Sequence, residues 1–214
     1  MDRLYRRQRL IYDATRRYYL LGRDRLIGGL QASGGGTVLE IGCGTGRNLA
    51  AAAAHYPEAR LYGLDASEQM LRSARKSIAR HGLEKRITLE AGDAVDFDAA
   101  KLFGASSFDR IYFSYVLSMI PSWPDAVTHA AAFVSPGGSL SIVDFGDFRG
   151  YPALMRRAQN AWLRSFSVTP IPDFENRIAA LAGQIGFSSS IEPLYGAYAI
   201  LARLQRPGET TPHR

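Results

Sequence analysis

Val38-Leu39-Glu40-Ile41-Gly42-Cys43-Gly44-Thr45-Gly46-Arg47-Asn48 reads as the end of a buried strand, a glycine turn and the start of a helix. Glycines between a strand and a helix let the backbone turn sharply and let a ligand approach with no Cβ in the way. By itself such a turn fits nicotinamide or flavin binding as well as other adenosine cofactors. Two carboxylates further along narrow the reading. Asp65 ends the next strand, where it is placed to accept hydrogen bonds from two ribose hydroxyls. Its alternative role, capping the following helix, suits Ser67 better. Asp93, in Glu90-Ala91-Gly92-Asp93-Ala94, ends the third strand and is placed to accept from an adenine amino group.

Glu40 stands just before the turn, where its charge repels a pyrophosphate and attracts a cationic sulfonium and amino group. Glu40, Asp65 and Asp93 thus close three successive strands on one sheet edge. The C-terminal edge is where α/β sheets bind ligands.

Outward from the turn, strands and helices alternate. Strands are expected at Thr37–Ile41, Arg60–Leu64, Ile87–Ala91, Phe108–Ser114 and Ser139–Asp144. Helices are expected at Arg47–His55, Ser67–Arg80 and near Asp125–Val134. This alternation implies a mostly parallel sheet covered on both faces, with right-handed crossovers. Then follow a loop at Phe145–Gly150, a helical stretch at Pro152–Phe166 broken by Pro170 and Pro172, and a helix capped by Asp173 and running to Gly183. Two closing strands, Ser188–Pro193 and Ala197–Leu204, are joined at Tyr195-Gly196. Ahead of the turn, residues 3–20 read as a helix with Tyr5, Tyr12 and Tyr19 seven residues apart, beside Leu4, Ile11 and Tyr18. A short helix at Asp24–Gln31 follows. The expected organisation is a basic amphipathic segment over residues 1–32 covering the site, one α/β domain over 33–206, and a disordered polar tail over 207–214.

These motifs, with the Pro136-Gly137-Gly138 turn before the fifth strand, resemble the class I S-adenosylmethionine-dependent methyltransferases. The resemblance spans roughly residues 37–145. It implies a Rossmann-like, seven-stranded, mostly parallel sheet with helices on both faces and an antiparallel last strand. It also implies cofactor contacts at Glu40, Gly42, Cys43, Gly44, Asn48, Asp65, Ala66, Met70, Gly92, Asp93, Ala94 and Ser114. Cys43 reads as a small filler between glycines rather than a nucleophile. His55, His81, His129 and His213 lack metal-ligand spacing, so no metal is assigned.

Composition bounds the setting. Of the 214 residues, 46% are hydrophobic and 21% charged, as in a globular protein, and no run of eighteen apolar residues occurs. One cysteine allows no intrachain disulfide, and with no signal peptide legible we expect a cytoplasmic protein. The first 25 residues hold eight arginines against three aspartates, most of the net charge of +6. A basic end of this kind suits nucleic acid, an anionic membrane, or simply solvent.

The segment after the fourth strand bears on the acceptor. Base N-methyltransferases carry an Asn/Asp-Pro-Pro-aromatic motif there, whereas this chain has Phe113-Ser114-Tyr115-Val116-Leu117-Ser118-Met119. That departure argues against a nucleic-acid substrate. Ile11–Asp24, Val143–Asp147 and Trp162–Pro170 resemble bacterial diacylglycerylhomoserine N-methyltransferases. This second resemblance implies three successive methylations of a lipid headgroup amine, giving the betaine lipid diacylglyceryl-N,N,N-trimethylhomoserine, at an anionic inner-membrane surface to which the enzyme binds peripherally.

An amine becoming a quaternary ammonium is well held by aromatic faces, each contributing about 0.5–2 kcal/mol. Tyr12, Tyr18, Tyr19 and Tyr115 are candidates, with Tyr195 and Tyr198 beside them; the alternative is that these tyrosines pack on the domain. Arg23 is a candidate for the substrate carboxylate, and Asp144, water or a tyrosine oxygen for the departing proton. We assign catalytic roles to Tyr12, Tyr19, Tyr115 and Asp144, and substrate contacts to Tyr18, Arg23, Tyr195 and Tyr198. A phosphatidylethanolamine N-methyltransferase, a quinone or other small-molecule C- or O-methyltransferase, and a non-enzymatic RNA-binding protein are the competing readings.

Overall fold

The computed structural model describes residues 20–32, 34–165 and 168–208. Seven strands form one sheet in the order β3-β2-β1-β4-β5-β7-β6. They are β1 (Thr37–Ile41), β2 (Arg60–Asp65), β3 (Ile87–Ala91), β4 (Phe108–Ser114), β5 (Val134–Phe145), β6 (Ser188–Leu194) and β7 (Ala199–Gln205). The first five run parallel, and β7 lies antiparallel between β5 and β6. The helices are α1 (Arg23–Gly28), α2 (Arg47–His55), α3 (Glu68–Arg80), α4 (Ala99–Phe103), α5 (Trp123–Ala132), α6 (Ala153–Arg164) and α7 (Phe174–Gln184). The expected doubly covered, mostly parallel sheet is therefore present.

Side-chain alternation along the strands divides the core in two. Val38, Tyr112, Val143 and Phe145 point to the face covered by α1, α2 and α3. Leu39, Ile41, Ile111, Phe113, Leu140 and Ile142 point to the face covered by α4, α5 and α7. Both faces are dry, which is why the central strands read as near-continuous apolar runs. Glu40 interrupts the run in β1, on the α2 face.

Several boundaries differ from expectation, each for a local reason. The helix expected at Asp24–Gln31 stops at Gly28, because Gly28-Gly29 ends it and Gln31 adopts φ 54°. β5 starts earlier, at Val134, since Val134 pairs with Phe108 before an irregularity takes up the Pro-Gly-Gly residues. α4 and a single 3-10 turn, Leu117–Met119, are too short to leave a periodic signal. Asp173 precedes α7 as expected but does not cap it. At φ 51° its carboxylate accepts instead from the Asn176 side chain at 2.7 Å. Ser67 caps α3 by accepting from Met70 N–H at 3.3 Å. Of the expected tail, Pro207 accepts from Gly137 N–H at 3.1 Å. Residues 209–214 lie outside the described residues, as do 1–19 with the expected N-terminal helix.

Candidate active site

β1, β2 and β4 end together, and the loops leaving them bound two adjoining cavities. The outer one, about 470 Å³, is lined by Asp65, Ala66, Met70, Gly92, Asp93, Ala94 and the Ser114–Val116 stretch, among others. The inner one, about 310 Å³, is lined by Leu20, Arg23, Gly42, Cys43, Asn48 and Ser77, among others. Gly42, Gly44 and Ser114 line both, so the glycine turn is the ridge between them. Gly42 has φ +75°, and a Cβ there would lie 2.5 Å from Val116 Cγ2. The loop therefore needs glycine at this position twice over, for its backbone and for its neighbour. A Cβ on Gly44 would meet nothing within 4 Å, so this glycine leaves open space towards the cavities.

Asp65 shapes the turn directly. Its Oδ2 accepts from Gly44 N–H at 2.7 Å and its Oδ1 from Ser67 N–H at 2.8 Å. Asp93 accepts from Val95 N–H at 3.1 Å and stands exposed where it lines the outer cavity. Two carboxylates after adjacent strand ends, on one cavity, suit the ribose and the base of an adenosine ligand.

Glu40 does not line either cavity. It is fully buried, and its Oε1 accepts from Asn48 Nδ2 at 2.7 Å. Asn48 faces the inner cavity, so Glu40 acts on a ligand through Asn48 and through its field. Its other neighbour is the buried hydroxyl of Tyr112, directly across on β4, which also acts on this carboxyl. Burial pushes the Glu40 carboxyl up to about 8, against the lowering pull of Asn48. Cys43 is buried and its thiol is pushed up, again by burial, so it offers no thiolate and fills space as expected.

The residues proposed for the acceptor side are only partly gathered. Arg23, its side chain 13% exposed, lines the inner cavity and is a candidate for an anionic group of either ligand. Tyr115 lines the outer cavity but is 2% exposed. Its hydroxyl donates to the Leu21 carbonyl, and its ring meets Phe145 edge-on at 4.6 Å between centroids. Tyr115 thereby holds down the segment that carries Arg23, a role the aromatic-cage reading did not foresee. Asp144 is 1% exposed and lines neither cavity. Its oxygens accept from Phe145 N–H at 2.8 Å and Ser118 N–H at 3.1 Å, which orders the 3-10 turn. Burial pushes its carboxyl up to about 6. Tyr198 is buried among Phe145 and Phe148, and Tyr195 stands exposed on the β6–β7 turn; neither is among the residues lining these two cavities. Tyr12, Tyr18 and Tyr19 lie outside the described residues.

The sequence reading missed Met119 and Ile120 on the outer cavity and Ser73 and Ser77 on the inner one. Met119 ends a 3-10 turn with no periodic signature, and Ile120 follows it. Ser73 and Ser77, four apart on α3, are legible as one helix face only once that face is known to meet the loop.

Residues 38–138 match the family described as "Methyltransferase domain". That part of the chain is a class I methyltransferase domain. The chain is 32% identical over 136 residues to a ribosomal RNA small subunit methyltransferase C of Pseudomonas aeruginosa, covering 64% of this chain and 40% of that one. It is 29% identical over 141 residues to a phosphatidylethanolamine N-methyltransferase of Cereibacter sphaeroides, covering 63% of this chain and 66% of that one. The chain thus spans from two fifths to two thirds of the length of these curated relatives. Its fold is similar to the Haemonchus contortus phosphoethanolamine N-methyltransferase 2 solved with S-adenosyl-L-methionine, with TM-score 0.70, 16% identity, and coverage of 86% of this chain and 52% of that one.

The methyltransferase domain takes S-adenosylmethionine as cofactor, and its residues fit that molecule. Asp65 and Asp93 supply acceptors for the hydroxyls and the amine of an adenosine. The open space at Gly44 admits a chain running between the cavities, and a cation in the inner one would favour ionisation of the Glu40 carboxyl behind Asn48. Arg23 supplies the opposite charge for a carboxylate.

Proposed function

We propose that this chain is an S-adenosylmethionine-dependent N-methyltransferase whose acceptor is the primary amine of a lipid headgroup. On this reading it converts diacylglycerylhomoserine to the trimethyl betaine lipid by three methylations, working at the inner face of an anionic membrane. One observation carries the lipid reading. Every large apolar side chain left exposed among the described residues, namely Leu21, Met119, Leu154, Met155 and Tyr195, sits on a segment at the C-terminal edge of the sheet. Apolar side chains scattered singly over a surface need no explanation, but their confinement to the edge that holds the cleft does. It favours an acceptor that is itself apolar and arrives from a surface.

Bound S-adenosylmethionine supplies an activated methyl group, and its in-line transfer needs an aligned lone pair more than covalent help from the protein. The chain's contribution is alignment and desolvation. Arg23 offers a cation for the homoserine carboxylate, and Val116, Met119 and Ile120 wall the outer cavity against water. Among the described residues, neither cavity presents a histidine or a buried carboxylate as base. The amine therefore enters neutral or loses its proton to water, and turnover rises with pH in step with the free amine.

Phosphatidylethanolamine is the second acceptor to consider, because a relative of that name aligns with 63% of this chain. Co-expression with an enzyme that makes diacylglycerylhomoserine, followed by mass spectrometry of the lipid extract, separates the two. The trimethyl betaine lipid is expected. Methylated phosphatidylethanolamine beside untouched diacylglycerylhomoserine would move the assignment to the second acceptor. Labelling of RNA with no methylated lipid would overturn both.

A further inference from the structure

Among the described helices, α6 has the smallest buried share. Of its twelve residues only Leu163 is buried, with Gln159, Asn160 and Trp162 half-buried towards its end. Its first two turns stand in solvent, Leu154 at 80% exposure and Met155 at 54%. Helical spacing gathers Leu154, Ala158 and Ala161 on one outward stripe, with Arg157 and Arg164 flanking it. The helix carries Arg156, Arg157 and Arg164 and no acidic residue. Asp147, which shares a cavity with Arg164, pairs with Arg149 at 3.4 Å, and Glu175 pairs with the same arginine at 2.5 Å. An apolar stripe beside arginines, on a helix that carries no acid of its own, is the composition of a helix that lies in a lipid headgroup layer.

Its position agrees. α6 follows the C-terminal end of β5, at the sheet edge where the cavities open. Gly150 N–H donates to the Gly196 carbonyl at 2.9 Å, which brings exposed Tyr195 and its turn alongside the segment entering α6.

We infer that α6 docks the enzyme on an anionic bilayer, setting the cavities at the headgroup layer. The inference builds on the lipid reading of the cleft and names the surface that serves it. A second copy of the chain is a poor occupant, because two such faces would bring arginines against arginines. RNA would engage the arginines but leave Leu154 and Met155 in water.

Cys43 is the single cysteine and is buried, so a Leu154→Cys variant of the full chain takes a polarity-sensitive thiol label at one place. With phosphatidylcholine vesicles containing phosphatidylglycerol, the label should brighten severalfold and shift to the blue; with phosphatidylcholine alone it should not. Arg157→Gln and Arg164→Gln should each weaken vesicle partitioning by about fivefold while leaving the melting temperature and cofactor affinity unchanged. An unchanged label while the protein co-sediments with anionic vesicles would overturn the inference, as would no co-sedimentation. A shift that grows with protein concentration alone would assign the face to a second copy, and one seen only with RNA would assign it to nucleic acid. Methylation of a water-soluble headgroup amine in detergent reports on the acceptor reading separately. If the label shifts on vesicles but no amine lipid is methylated, docking stands and the acceptor reading fails.

Discussion

Asp65 holds the glycine turn and the start of α3 at once, through Gly44 N–H and Ser67 N–H. A carboxylate shared between two backbone donors keeps the turn open on the cleft side, and it is the group placed to meet a ribose. Asp65→Ala leaves both amides without that acceptor and removes the charged contact to ligand. Cofactor affinity should fall by roughly 1–3 kcal/mol, with a lower melting temperature; isothermal calorimetry and a thermal scan measure the two separately. A folded variant that binds cofactor as tightly as the parent would take Asp65 out of the site. Its place on the cleft was legible in the sequence because it ends the strand after the glycine turn, at the edge where α/β sheets bind ligands. The bond to Gly44 was not legible, since it crosses between two strands' loops.

At the scale of elements, the segment before α1 is tied to the site by Tyr115. This residue follows β4, adopts φ 56°, and sends its hydroxyl to the Leu21 carbonyl. Leu20 and Arg23, on either side of Leu21, both line the inner cavity. Tyr115→Phe keeps the ring against Phe145 but drops the tie. We expect a loss of about 1 kcal/mol in stability and a several-fold weaker cofactor affinity from a loosened Arg23, both readable by denaturant titration with and without cofactor. A silent Phe variant would show that the ring alone matters and would restore the aromatic-cage reading of Tyr115. Sequence placed this tyrosine correctly after β4, but the left-handed backbone that turns it beneath Leu21 is set by packing.

For the whole molecule, two buried carboxyls set a pH dependence of one sign. Glu40 is raised from an ordinary 4.5 to about 8 and Asp144 from 3.8 to about 6, both chiefly by burial. The folded state then holds protons that the unfolded chain has released, so stability falls as pH rises. Glu40's contribution is full below about 4.5 and is lost progressively up to about 8. Glu40→Gln keeps an acceptor for Asn48 and removes an ionisable group from the core. Denaturant titrations from pH 5 to 9 should show the parent's unfolding free energy declining by an amount on the order of a few kcal/mol. The variant should be flatter above pH 6 and more stable than the parent at pH 8. Parallel curves for the two proteins would show that Glu40 titrates normally.

The sequence by itself determined the sheet, the cofactor edge and the carboxylates on it. Alternating apolar strands and helices admit few packings, and a glycine turn with Asp65 and Asp93 at the next two strand ends marks the edge at which the cavities open. Only the tertiary structure decided which of these groups touch the cleft. Glu40 and Asp144 both sit at strand ends, yet side-chain alternation and the covering loops bury them, one behind Asn48 and the other beneath the 3-10 turn. The exposed arginine-edged stripe of α6 belongs to the same class. Its composition is written in residues 153–164, but whether a helix face packs or stands free depends on what the rest of the fold brings against it.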